Sequence, residues 1–354
     1  MSDAAKHERL DTLQAGRAAA AFAVVLFHLN GSIFDKAKYF PGELFVPFRT
    51  GHVGVEFFFV LSGFLMTWLY AGRLGERAAA GRFLYKRALR IYPTYWAALL
   101  AILPVYFLIP GTGKGIETDP FYIVASILLL PTPEMPILGV AWTLQFEMFF
   151  YLVFAGLLAF PRLFKPLILL WAAAAVARMF LPEPFFPLSF FTNPWILLFL
   201  IGGGAALVAR RGIARPLLWV ALGVALFAVS AWADEFTPLA RGLTRNAMGL
   251  GAGAAIVGLV TAEAQGRIRV PRWLAYLGDA SYALYLVHVL ALSVGAKLLV
   301  ASGLAAALPR PVSALLLIAA SLIAGILLHE IVEKRLMKLR PRRSGPNLGA
   351  ESAA

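Results

Sequence analysis

Gln14-Ala-Gly-Arg17-Ala-Ala-Ala-Ala-Phe-Ala-Val-Val-Leu-Phe-His28 decides how this chain folds. Every position between the arginine and the histidine is apolar. Eleven residues at about 100° each return the two side chains to roughly one helix face, ~16 Å apart along the axis. An ionisable group inside a membrane span costs several kcal/mol unless it faces a protein interior or a watery cavity. Two on one face therefore mark a polar path along the first helix, the signature of a membrane enzyme or a transporter.

The rest of the chain supports a membrane class. Of 354 residues, 60% are hydrophobic and 14% charged, and the mean hydropathy is +0.76. Runs of about 20 apolar residues recur along the length, each long enough to cross a bilayer as a helix. The expectation is an all-α polytopic membrane protein with about ten transmembrane helices and both termini cytosolic. Predicted spans are 13–32, 53–72, 93–110, 140–160, 166–181, 194–209, 216–233, 244–262, 280–301 and 311–332. The stretch 120–131, bracketed by Pro120 and Pro131, is too short to cross and reads as a re-entrant or interfacial segment. This count places 23 of the 32 basic residues on the cytosolic side, as positive loops require; a crossing at 120–131 would put every later basic loop outside. The domain reading is a cytosolic segment over 1–12, a membrane domain over 13–335 and a basic, disordered tail over 336–354. The first apolar run lacks a small-residue cleavage site and reads as a retained span. The charge of +13 sits in short loops, so nucleic acid is not an expected partner; the lipid bilayer is.

Several chemistries are excluded by motif. There is no cysteine, hence no thiol nucleophile and no thiolate metal site. Gly111-Thr-Gly-Lys-Gly115 lacks the spacing and the following Ser/Thr of a phosphate-binding loop. No G-x-S-x-G elbow and no pair of histidines four apart occurs, so no metal is expected. Gly202-Gly-Gly204 reads as close helix packing.

Candidate site residues fall into two levels. Gly51-His52-Val-Gly-Val-Glu56 opens the second span, with Ser62 further along, and Trp142-Thr-Leu-Gln145-Phe-Glu147 opens the fourth. His52 and Glu56, four apart, share a helix face. With His28, these carboxylates and Gln145 are expected at one depth in the outer half. Imidazole suits general-base work near neutral pH, so His28 is the expected base. Glu56 or Glu147 is its orienting carboxylate, the choice between them staying open, and His52 is the competing base. The second level is cytosolic. In Lys86-Arg87-Ala-Leu-Arg90-Ile-Tyr-Pro93-Thr-Tyr95, the two arginines three apart point one way and suit a polyanionic phosphate ligand, with Pro93 starting a new span. Topology-setting charges against anionic lipid are the plainer alternative for most of that loop. Ser281-Tyr282-x2-Tyr285-x2-His288 forms a drifting polar stripe on the ninth span, with His288 expected nearer the cytosolic half, and His329 and Glu330 near the cytosolic boundary.

Arg17-x10-His28 resembles the signature of the acyltransferase-3 membrane acyltransferases, the family of bacterial O-antigen and polysaccharide O-acetylases. Gly54-Val-Glu56-Phe-Phe-Phe-Val-Leu-Ser-Gly63-Phe, Arg87-Ala-Leu-Arg90-Ile-Tyr-Pro93-Thr-Tyr95, Trp142-Thr-Leu-Gln-Phe-Glu147-x3-Tyr151 and Ser281-Tyr-x2-Tyr285-Leu-x-His288 are similar to that family's blocks, in order. The resemblance spans roughly 10–335; no hydrolase-like domain follows the last span, unlike in the family's fused members. It implies a protein of the bacterial cytoplasmic membrane that moves an acyl group, most commonly acetyl, from cytosolic acyl-CoA to a hydroxyl of a cell-envelope saccharide or lipid-linked acceptor. Acyl-CoA is then a donor substrate, not a resident cofactor, held by Arg17, Lys86, Arg87, Arg90 and Tyr95. A polytopic transporter or flippase using the same polar path is the alternative.

Overall fold

A bilayer offers no partner for backbone N–H and C=O groups, so a chain this apolar must bond them within helices or a closed barrel. The computed structural model describes residues 10–338 apart from 110, 112 and 240; the predicted segment ahead of residue 10 and the tail beyond 338 lie outside. The described residues form helices without any strand, apart from one isolated bridge between Lys36 and Phe40. In order they are α1 (Asp11–His28), α2 (Gly54–Tyr70), α3 (Arg77–Leu108), α4 (Pro120–Leu128), α5 (Trp142–Ala159), α6 (Pro161–Arg178), α7 (Leu188–Phe191), α8 (Trp195–Arg211), α9 (Pro216–Phe236), α10 (Arg241–Ala264), α11 (Arg272–Ala301), α12 (Leu304–Ala307), α13 (Arg310–Leu328) and α14 (Lys334–Lys338).

Nine helical segments among the described residues are long and apolar enough to cross a membrane. The tenth predicted span, 166–181, lies in α6, an 18-residue helix that carries Arg162, Lys165 and Arg178. Contacts between helix ends show that α6 also runs from one side to the other. On the side holding the start of α1, Glu263 at the end of α10 accepts from Asp11 N and Thr12 N. There too, Gly75 beyond α2 donates to Leu158 O at the end of α5, and Arg210 of α8 donates to Trp68 O of α2. On the opposite side, Met179 beyond α6 meets Asn246 and Gly242 at the start of α10, and Arg310 donates to Gly42 O beyond α1. The described chain thus begins and ends on one side, called basal below.

Glycines bring the helix backbones together. Within a bilayer, small residues are what permit such approach. A Cβ at Gly63 would strike Phe199 O and one at Gly202 would strike Val60 O, so α2 and α8 touch backbone to backbone. Gly202 is thus the packing residue of its triplet, whereas Gly204 faces open space. Gly54 meets Ala20 O and Gly278 meets Gln14 O, which lays α2 and α11 against α1.

Pro93 does not begin a helix. It lies inside the 32-residue α3, about 48 Å long where a bilayer core needs about 30 Å. The excess extends basally and carries Arg87 and Arg90 on a rigid helix. The same helix holds α4, whose nine residues cannot span a bilayer. A helix ending at membrane depth leaves its last carbonyls without partners. Tyr95, Trp96 and Tyr92 donate to Ser126 O, Ile127 O and Leu128 O at 2.6, 2.9 and 2.9 Å. Gln145 adds a bond to Leu130 O at 2.6 Å. Tyr95→Phe leaves the buried Ser126 carbonyl without that donor and should lower stability by about 1–2 kcal/mol, read as a lower thermal unfolding midpoint in detergent.

Candidate active site

Two cavities lie one above the other along α1. The basal one, of ≈ 120 Å³, is lined by Arg17 of α1, Ser62 of α2, Arg87 and Arg90 of α3, Glu147 and Tyr151 of α5, and Ser281, Tyr282 and Tyr285 of α11. The distal one, of ≈ 580 Å³, contains His28, His52, Trp142, Trp195 and Arg245, with Lys38 and Lys297. Val55 and Tyr285 line both, so they form a shared wall. Tyr285 is fixed there by its hydroxyl, 2.9 Å from Thr143 Oγ1 and donating to Val140 O at 3.0 Å.

The basal cavity brings together residues expected at different depths. Arg17 donates from Nε to Ser281 Oγ at 3.2 Å. Glu147 accepts from Ser62 at 3.0 Å and also from Tyr151. Glu147 is therefore beside the arginines, not beside His28. It stands five residues basal of Trp142, about 7.5 Å along α5, which moves it out of the distal level. Arg87 lies over the rings of Phe83 and Tyr151, 5.5 and 5.4 Å from their centroids. Arg90 pairs with Glu333 at 2.9 Å, and Glu333 in turn meets His329 Nδ1 at 2.7 Å. Tyr282 donates to Ile91 O at 2.8 Å. Lys86 is exposed and lines neither cavity. Tyr95 lines neither as well; its hydroxyl holds α4.

His28 in the distal cavity does not have a carboxylate partner among the described residues. Glu56, fully buried, lies 3.5 Å from Arg245 Nε, whose guanidinium stacks 3.8 Å over Trp195. His52 lies 3.8 Å from Asp234. The i,i+4 pairing of His52 with Glu56 fails because His52 belongs to a 3₁₀ turn, Val46–Val53, ahead of α2. Its tighter pitch turns the ring elsewhere. Gln145 donates to Leu130 O and lines neither cavity.

The partner of His28 is His288, with His288 Nε2 3.1 Å from His28 Nδ1. This corrects the basal placement of His288. α11 begins at Arg272, eight residues before the predicted span, so His288 is about 24 Å along it, level with His28 about 26 Å along α1. The carbonyls around the two rings assign their protons. Val24 O, 3.0 Å from His28 Nδ1, can only accept, so Nδ1 carries the hydrogen. Leu284 O and Tyr285 O, 3.2 and 2.8 Å from His288 Nδ1, require the same there. His288 Nε2 is then an acceptor towards His28, and His28 Nε2 keeps its lone pair.

Sequence reasoning missed Arg245 and Glu333. An arginine at the start of a predicted apolar span was the signal available for the first. No role was expected of Glu333; His329, expected near the cytosolic boundary with Glu330, is buried together with it in a π-helical turn, His329–Glu333. Such turns recur at functional sites.

A family model described as an acyltransferase domain matches residues 10–330. The chain belongs to the acyltransferase-3 family. It is an integral membrane acyltransferase. It is 32% identical to the exopolysaccharide production protein ExoZ of Rhizobium meliloti, over 86% of this chain and 96% of that one. It is 28% identical to the acyltransferase MdmB of Streptomyces mycarofaciens, over 95% and 93% of the two chains. Nodulation protein 10 of Rhizobium leguminosarum bv. viciae is 28% identical over 67% of this chain. No solved structure matches it.

Glu333→Gln removes the charge that pairs with Arg90. Breaking a buried pair costs about 3–5 kcal/mol; with Arg90 26% exposed, about 1–3 kcal/mol is expected, measured by thermal unfolding in detergent.

Proposed function

We propose that this enzyme transfers an acyl group, acetyl in the simplest case, from acyl-CoA to a hydroxyl of a cell-envelope saccharide across the bacterial cytoplasmic membrane, with its basal side cytosolic. The observation that carries the reading is the stacking of a cavity with three guanidiniums below a cavity with an imidazole, the two sharing Val55 and Tyr285 in their linings. Arg87 and Arg90, with Arg17 behind them, hold donor phosphates at the basal mouth. Three guanidiniums meet two carboxylates, Glu147 in the lining and Glu333 behind Arg90, and the remaining positive charge suits a polyanionic donor. A pantetheine arm is about as long as the Arg17–His28 separation, so its thioester reaches the wall from below while the acceptor enters from above.

His28 Nε2 takes the proton of the acceptor hydroxyl as the oxygen attacks the thioester carbonyl. The C–S bond then breaks and the proton passes to the departing sulfur. His288 is a positioning residue: it holds His28 in the Nδ1–H tautomer and accepts from Nδ1–H when His28 is charged. The names of ExoZ, an exopolysaccharide production protein, and of the acyltransferase MdmB support a saccharide-directed acyl transfer.

Purified protein in detergent should consume acetyl-CoA and release CoA when given an acceptor extract; a thioester left intact would overturn the reading. His28→Ala should lower turnover by about 10² to 10⁴ with CoA affinity retained. Arg87→Lys keeps the charge but loses the planar fork. It should weaken CoA binding by about 1.5–3 kcal/mol, measured by calorimetry, and unchanged affinity would assign Arg87 to lipid contact. A reporter fused after Arg211 should report cytosol, and an exterior signal would reverse the orientation.

A further inference from the structure

The distal cavity carries a charge that acyl transfer to a neutral sugar does not use. Among its described lining residues are three cations, Lys38, Arg245 and Lys297, and no Asp or Glu. Arg245 is offset by Glu56 behind it. Lys38 and Lys297 are not: neither forms an ion pair among the described residues, and Lys38 lies 4.8 Å over the ring of Tyr39. Both lysines are exposed, so they stand at the cavity's rim.

Their placement is fixed. Lys38 sits on the loop after α1, which Asn30 anchors by accepting from Leu44 N and Phe45 N at 2.9 and 3.1 Å. Arg310 ties down the same loop through Gly42 O and Glu43 O. On α11, Val289, Ser293 and Lys297 all line the cavity and recur every fourth residue, on one face. Lys297 is nine residues beyond His288, about 13.5 Å along the axis. A hydroxyl at His28 therefore leaves an anion under Lys297 and Lys38 at least one sugar unit away. The ≈ 580 Å³ volume is that of a small-molecule site. Cations lining an apolar-walled cleft raise the local concentration of an oppositely charged substrate.

We propose that the acceptor is an anionic saccharide, with a carboxylate on the sugar held by Lys38 and Lys297 while a neighbouring unit presents its hydroxyl to His28. This deepens the acyl-transfer reading and rests on it for the role of His28. The test is binding of octyl β-D-glucuronide and octyl β-D-glucoside to the purified protein, followed by Trp fluorescence in neutral detergent. The glucuronide should bind at least ten-fold more tightly, and Lys38→Gln with Lys297→Gln should abolish the difference while CoA affinity stays intact. Equal affinities, no glucuronide binding, or a preference that survives in the double variant would overturn the proposal. Repeating the measurement in nanodiscs separates the other source of negative charge. Glucuronide affinity should be the same in phosphatidylcholine and phosphatidylglycerol discs, and its loss in phosphatidylglycerol would give the lysines to lipid. Failure of acyl transfer itself shows independently, as wild-type protein that neither binds CoA nor releases it from acetyl-CoA.

Discussion

A guanidinium in the middle of an apolar helix persists only where other helices supply it with acceptors and a polar space, and Arg17 imposes that requirement here. Left towards lipid it would cost several kcal/mol. In the structure Ser281 of α11 accepts from it, and its cavity is closed by α2, α3, α5 and α11. The first helix is therefore central to the bundle, with α2 and α11 against it. Its polar face becomes the line along which both cavities open.

That arrangement needs depth registers accurate to a fraction of a helical turn, and small residues set them. Gly278 lets α11 approach the backbone of α1 at Gln14, after which Arg17 faces Ser281 and His28 faces His288. The pairs ascend together because the two helices run in the same direction. A side chain at residue 278 would push α11 away and break both polar pairings. Gly54 against Ala20 does the same for α2, which contributes Val55 to the wall between the cavities. Val55 and Tyr285 stand where the two cavities adjoin.

The two levels differ in electrostatic character as well as in depth. Below, guanidiniums outnumber carboxylates, and Arg90 is held in place by Glu333 and His329 from the far end of the chain. Above, the histidines, tryptophans and rim lysines enclose a larger and more apolar space. Burial makes each hydrogen bond in such surroundings consequential, since an unsatisfied partner loses its full desolvation energy. This explains why Tyr285, which is both wall and neighbour of His288, has its hydroxyl bonded twice.

The sequence by itself determined the helical membrane class, because twenty-residue apolar runs have no other stable solution in lipid. Together with the ordered motif blocks it also marked ten of the side chains that line the cavities: Arg17, His28, His52, Ser62, Arg87, Arg90, Trp142, Glu147, Tyr282 and Tyr285. Helical periodicity reports which face a residue occupies, but it does not report where a helix begins or how far it slides against its neighbours. For that reason only the tertiary structure moved Glu147 to the arginines, gave Glu56 to Arg245, and returned Tyr95 and Gln145 to the support of α4. It also replaced a carboxylate by His288 as the partner of His28. Eight additional residues at the start of α11 bring His288 level with His28, and a 3₁₀ turn ahead of α2 turns His52 away from Glu56. At 1.5 Å per residue and 100° of rotation each, small differences in a helix's start decide which side chains meet.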